Sequence, residues 1–285
     1  MASLPNPPEA RETASAGRQA MAVAIVRLSL AATAAEVEQL AGLLSTAERE
    51  RAGRRLPEVR RRAVVSRGRL RQLLGWLLDA PPGAVELTTG PQGKPALAGP
   101  FAGLLEFNLS HSGDEGLVAV SRHGPLGIDL ELGKPNQTLD WARLMAGTIF
   151  SPPELARWRQ LPEPQRAAAV LDAWVAKEAV FKALGTGIGD RLRQCMLPAE
   201  LPRLPVDAGR SPPASRLIQP QLPAGSDPGG EPPGFTLLGL QPGYHAALAC
   251  RARAVQLTVS RFDEVFAGDP GLLSGPAAAA ARPPE

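Results

Sequence analysis

The residues best able to do chemistry lie in two short stretches, Gly127-Ile128-Asp129-Leu130-Glu131 and Trp174-Val175-Ala176-Lys177-Glu178-Ala179-Val180-Phe181-Lys182. The first alternates as a strand, which puts Asp129 and Glu131 on one face, roughly 6–7 Å apart along the backbone. The second lacks Pro and Gly and reads as a helix, with Trp174, Glu178 and Lys182 recurring at i, i+4 and i+8 on one face. Paired carboxylates are most often a solvated face, and a Glu–Lys pair on a helix is worth only about a few tenths of a kcal/mol. Brought together, however, the two stretches supply three hard oxygen donors and a cation. That set suits Mg²⁺ holding a phosphate ester, because Mg²⁺ prefers carboxylate and phosphate oxygens and keeps some of its waters.

Three further pieces suit phosphate. Gly93-Lys94-Pro95 is a turn that presents a lysine, and Asn108-Leu109-Ser110-His111-Ser112 ends a strand in hydroxyls and an imidazole. Ten arginines fall between Arg49 and Arg71 against the two acids Glu50 and Glu58, a supply of guanidinium forks. Each signal is weak alone, since arginine-rich helices are usually solvated and a Gly-Lys-Pro is usually only a turn.

The elements that must position these groups follow from local signals. A strand is predicted from Val23 to Leu30, and Thr33 with Glu36 and Ser45 with Glu48 form capping-box starts for two helices. Pro57 opens a long helix that ends before Pro81-Pro82-Gly83. Extended segments surround Ala84–Thr89, Phe107–Leu109 and Leu117–Ser121. The order then repeats: a strand at Leu126–Glu131, a helix near Leu139–Met145, the box Ser151…Glu154, and a long helix opened by Leu161-Pro162-Glu163 and ended by Gly185. Leu56-Pro57-Glu58 and Leu161-Pro162-Glu163 match residue for residue. Late strands are predicted at Tyr244–Cys250 and Val255–Val259. The pattern predicts an α+β protein of two similar β-α3-β2 halves, 21–125 and 126–267, with a ligand cleft between them.

Composition bounds the rest. In 285 residues, 44% are hydrophobic but only 4% aromatic, so Leu, Val and Ala must fill the core. Residues 1–20 and 268–285 are expected to be a disordered leader and tail. Pro198–Gly234 is expected to be a flexible excursion, on its Pro, Gly and Ser content. Cys195 and Cys250 have neither metal-ligand spacing nor a disulfide framework, and read as reduced thiols. No run reaches membrane-spanning length and no signal peptide is read, so a cytoplasmic monomer is expected.

In their order along the chain, Gly93-Lys94-Pro95, Asn108-Leu109-Ser110-His111-Ser112, Gly127-Ile128-Asp129-Leu130-Glu131 and Trp174-x-x-Lys177-Glu178-Ala179-x-x-Lys182-Ala183-x-Gly185 resemble the 4'-phosphopantetheinyl transferases of the surfactin type. The resemblance runs from about residue 23 to 265. It implies a pseudo-dimeric fold with coenzyme A in the cleft, and a Mg²⁺-dependent transfer of phosphopantetheine to a serine of an apo carrier protein, releasing 3',5'-ADP. The carriers would be acyl, peptidyl or polyketide carriers, serving fatty-acid, nonribosomal-peptide or polyketide synthesis. It makes Asp129, Glu131 and Glu178 the metal ligands, and puts Lys182 on the pyrophosphate. Ser110 and His111 fall on the CoA phosphates, Lys94 on the nucleotide end, and Arg51, joined by one of Arg60–Arg62, on the 3'-phosphate. Glu178 would take the serine proton, directly or through a metal-bound water, while Trp174 packs behind the acid.

Two other readings use the same residues. A metal-dependent phosphohydrolase could employ the three acids and would release product without an acceptor protein. A nucleic-acid-binding protein could employ Arg49–Arg71, although that stretch has almost no aromatics for base stacking and the net charge is only +3.

Overall fold

The computed structural model describes residues 20–90, 92–206, 212–223 and 232–267. The expected leader, apart from Ala20, and the expected tail lie outside the described residues. Strand β1 (Met21–Ser29) leads into helices α1 (Ala34–Gly42), α2 (Thr46–Gly53) and α3 (Pro57–Leu77), a short hairpin of β2 (Leu87–Thr89) and β3 (Pro95–Leu97), and strands β4 (Glu106–Ser112) and β5 (Glu115–Ser121). The order then recurs as β6 (Leu126–Leu132), α4 (Leu139–Ile149), α5 (Pro152–Gln160) and α6 (Glu163–Leu184). The short strands β7 (Arg203–Pro205) and β8 (Ser215–Arg216) come next, then β9 (Gly234–Gly239), β10 (Tyr244–Cys250), β11 (Ala254–Arg261) and α7 (Phe262–Phe266).

Helix starts are where their caps put them. Glu36 and Glu48 bond back to the N–H of Thr33 and Ser45, at 2.7 and 2.9 Å, and Glu154 does the same to Ser151 at 2.7 Å. Each such box is worth about 1 kcal/mol. At the other end of α6, Gly185 takes the left-handed conformation that closes the helix.

The strands form two main sheets, ordered β4-β5-β1-β11-β8 and β6-β10-β9-β7. The sheets pack face to face. Val23, Ile25 and Leu257 of the first meet Ile128, Leu130 and Leu248 of the second in an apolar layer. Helices α1–α3 cover the outer face of the first sheet, and α4–α6 cover that of the second. The fold is α+β, with most pairs antiparallel and β1–β11 and β7–β9 parallel.

Two expectations are corrected here. The last strand was placed in the half 126–267, but β11 crosses back to pair with β1 in the first sheet, Val23 opposite Leu257. Alternation in Val255–Val259 specifies a strand without specifying its neighbour, and both sheets offer an apolar face. The excursion Pro198–Gly234 is built into the fold along its described residues. There β7 lies beside β9, β8 beside β11, and Ile218 bridges to Phe235. Val206 and Leu217 are buried between the sheets. The segment has few apolar residues, but Leu204, Ile218 and Leu222 also pack against the cores, which average composition does not reveal. Residues 207–211 and 224–231 of it lie outside the described residues.

Strand β6 crosses α6 in direct contact because position 127 is glycine. A Cβ there would collide with the backbone O of Ala179 and N of Ala183. This crossing brings the acids of β6 to the end of α6.

Candidate active site

Strands β4 and β6 lie alongside one another in different sheets, joined by side chains instead of backbone bonds. Asn108 Oδ1, Ser110 Oγ and Ser112 Oγ accept from the N–H groups of Ile128, Leu130 and Leu132 at 2.8, 3.2 and 3.1 Å. The period of two along both strands makes this ladder possible. The same hydroxyls then donate: Ser110 Oγ to Asp129 Oδ1 at 2.8 Å, and Ser112 Oγ to Glu131 Oε2 at 2.9 Å. Ser110, expected on a ligand phosphate, is therefore buried and occupied in fixing an acid. Ser112 does the same for the next acid; the alternation of Asn108, Ser110 and Ser112 was the signal that could have shown it.

From α6, Lys182 Nζ donates to Asp129 Oδ1 at 2.6 Å and to the carbonyl of Ile128 at 3.2 Å, with Ser110 Oγ at 3.4 Å. Asp129 is 4% exposed, and its second oxygen, Oδ2, is buried without a hydrogen-bond partner among the described residues. Burial raises the pKa of Glu131, with the charge of Asp129 adding to it against the bond from Ser112. Glu178 is pushed up to about 7, first by burial and then by Asp129, with Lys182 opposing and Glu131 adding. Three carboxylates thus share one half-buried patch with one ammonium.

As they stand, the acids do not close into a ligand cluster among the described residues. The donor set nevertheless fits a hard divalent cation. An orphaned buried carboxylate oxygen on Asp129, and two acids whose ionisation is opposed first by burial and then by neighbouring carboxylates, are what such a cation would relieve.

On the other face of β4, Leu109 and His111 line a cavity of about 220 Å³ with Leu44, Arg51, Arg55 and Arg67. The imidazole pKa of His111 is lowered, by desolvation first and then by Arg55, Lys182 and Arg62. Six of the ten arginines are engaged within the protein. Arg61 and Arg62 hold Asp114 at 3.2 and 2.9 Å, and Arg67 and Arg71 hold Glu48 at 3.4 and 2.9 Å. Arg49 bonds the carbonyl of Leu44 and Arg69 that of Ser29. Arg51 and Arg55, both exposed at the cavity, make no hydrogen bond or ion pair among the described residues. Arg51 is where a ligand anion could reach it, whereas Arg61 and Arg62 are already paired; Arg55 and Arg67 were not singled out by sequence.

Lys94, expected at the nucleotide end of a ligand, turns elsewhere. Its Nζ donates to the carbonyls of Leu126 and Lys182 at 2.8 and 3.1 Å. Lys177, inside the motif but without an assigned role, is fully buried. It bonds Glu154 Oε2 at 2.9 Å and the carbonyls of Ile149 and Leu192 at 2.7 and 2.9 Å. Trp174 is partly buried and packs against the core beneath α4–α6.

The acids and Lys182 lie where the two sheets meet, and the basic cavity lies on the other face of β4; both are groups suited to phosphate oxygens. Comparison with known proteins narrows the class. Residues 125–212 match the 4'-phosphopantetheinyl transferase superfamily. The chain is 38% identical over 183 residues to the 4'-phosphopantetheinyl transferase HetI of Nostoc sp., covering 62% of this chain and 76% of that protein. It is 38% identical over 130 residues to the 4'-phosphopantetheinyl transferase AcpT of Salmonella typhimurium, 45% of this chain and 62% of the other. A holo-[acyl-carrier-protein] synthase of Geobacillus kaustophilus matches at 40% over 68 residues, 24% of this chain and 53% of its own. The chain belongs to the 4'-phosphopantetheinyl transferase family. No helix among the described residues is long and apolar enough to cross a membrane.

Proposed function

We propose that this transferase moves 4'-phosphopantetheine from coenzyme A to a serine of an apo carrier protein, with Mg²⁺ held by Asp129, Glu131 and Glu178. The observation that carries the reading is the Lys182–Asp129 pair with Glu178 beside it, at the seam next to the cavity of Arg51, Arg55 and His111. Bound there, the cation would supply charge stabilisation to the pyrophosphate oxygens.

The chain's own residues account for the remaining steps. The serine oxygen attacks the β-phosphorus of CoA, a new P–O bond forms, and the bond to the bridging oxygen breaks. 3',5'-ADP departs with that electron pair. Lys182 offsets the charge gathering on the pyrophosphate, the dominant need in phosphoryl transfer. Glu178, with a pKa of about 7, is suited to take the serine proton near neutral pH. Ser110 and Ser112 hold Asp129 and Glu131 in place. Arg51 and Arg55, exposed and without a protein ion-pair partner among the described residues, suit the 3'-phosphate.

The nucleic-acid reading loses its main support, since six of the arginines serve internal bonds. The phosphohydrolase reading is separated by experiment. Purified protein, CoA and Mg²⁺ are incubated with apo acyl, peptidyl and polyketide carriers, which are then weighed by mass spectrometry. A carrier heavier by one phosphopantetheine supports the transferase. Free phosphopantetheine with unmodified carriers sinks it.

A further inference from the structure

Lys94 stands at the turn of the β2–β3 hairpin, and its two acceptors come from two other elements. Leu126 opens β6, and the carbonyl of Lys182 is one of the last in α6, where no further turn of helix supplies donors. An ammonium group at a helix C-terminus is electrostatically favoured. Both acceptors flank the crossing that Gly127 permits. The hairpin tip also touches the loop beyond the helix, because a Cβ on Gly187 would meet Gln92 Oε1 at 2.5 Å. The wall of the basic cavity is formed by Pro95, with Lys94 outside its lining. Burial lowers the pKa of Lys94, in keeping with an ammonium turned toward the protein interior.

We propose that Lys94 is a positioning residue: it clamps the start of β6 to the end of α6 and so holds Lys182 at Asp129. It does not grip the nucleotide end of CoA. The catalytic consequence rests on the role given to Lys182 above; the clamp itself does not. Displacing a catalytic group by about 1 Å can cost on the order of 10²-fold in rate. A clamp and a ligand contact therefore leave different signatures.

The test compares wild type, Lys94→Met and Lys94→Arg by hydrogen–deuterium exchange over residues 181–187 and by kinetics with CoA and 3'-dephospho-CoA. Exchange of that segment in Lys94→Met should be about tenfold faster, since the terminal turn has lost its tether. kcat should fall roughly 10- to 100-fold, with KM for both donors staying within about twofold of wild type. Lys94→Arg, which keeps charge and donors, should recover part of both losses. Unchanged exchange, or a KM that rises about tenfold for either donor with kcat unchanged, would overturn the clamp. If Lys94→Met does not fold, Lys94→Arg decides by the same two readouts. If the wild type transfers nothing, the function assigned above fails, while the exchange measurement still decides for or against the clamp.

Discussion

The two halves solve the same folding problem with the same parts, but the three acids and the lysine of the proposed metal and pyrophosphate site fall in the second. In the first, Ser45 caps α2, Glu48 closes the box, and Arg71 of α3, 23 residues further on, bonds that glutamate at 2.9 Å. In the second, Ser151 caps α5, Glu154 closes the box, and Lys177 of α6, again 23 residues on, bonds it at 2.9 Å. Each long helix is thereby pinned to the short one before it. The residue after Arg71 is Gln72 where the second half has Glu178, and four further on stands Trp76 where it has Lys182. The helix-facing side of β1 carries Ala24, Val26 and Leu28, whereas that of β6 carries Asp129 and Glu131. Caps, buried pairs and apolar alternation make the unit; the positions proposed for the site are where otherwise equivalent surfaces differ.

The sharpest way to break this comparison is to exchange its unequal positions. Asp129→Ala and Glu178→Ala should each lower transfer by about 10³-fold or more while leaving the circular dichroism spectrum unchanged. Gln72→Ala should leave transfer near wild type. Substantial turnover in either acid variant at saturating Mg²⁺ would remove the assigned asymmetry.

Next come the equal positions. Removing one partner of a buried pair leaves the other uncompensated, at a cost of about 3–5 kcal/mol. Lys177 is fully buried and the Glu154 side chain 4% exposed, so Lys177→Met should show the full loss in urea denaturation. Arg71→Met should lose less, because the Glu48 side chain is 13% exposed and Arg67 remains within 3.4 Å of it. Equal losses would mean that burial does not grade the two pins.

Replacing residues 207–231 by a short Gly/Ser linker should also destabilise, since it deletes β8, the bridge at Ile218 and the buried Leu217. Loss of one buried leucine alone is worth about 2–3 kcal/mol. An unchanged melting temperature would show that the seam does not depend on this segment.

The next effect is in pH. With chelator present, the raised pKa of Glu178 means that the folded state keeps a proton that the unfolded chain releases. Stability should therefore fall as pH rises from 4.5 toward about 7 and level off above, by roughly 3 kcal/mol. Glu178→Gln should lack that part of the slope, and identical slopes in the two proteins would contradict the crowding of acids.

The smallest expected effect is at the cavity. Arg51→Ala should weaken CoA about tenfold more than 3'-dephospho-CoA, as for one charge-assisted bond to a phosphate. Equal weakening would make Arg51 part of a solvated face.

Much of this was legible because it is local. Thr33, Ser45, Ser151 and Gly185 mark helix ends through bonds that span at most a turn, Pro57 does so through its fixed backbone angle, and those ends are observed. A period of two put Asp129 and Glu131 on one face, and i, i+4 put Lys182 beside Glu178, whatever the rest of the chain did. What lies opposite a face is not a local property. The period of two in Asn108-x-Ser110-x-Ser112 left open whether those groups would meet a ligand or the edge of β6. The apolar alternation of Val255–Val259 fitted either sheet. Lys94 could have turned to solvent, to a phosphate or to a helix end. Those partners were fixed only when glycine at 127 let β6 and α6 touch and two sheets closed on one apolar layer, because contacts between distant segments depend on which surfaces are buried together.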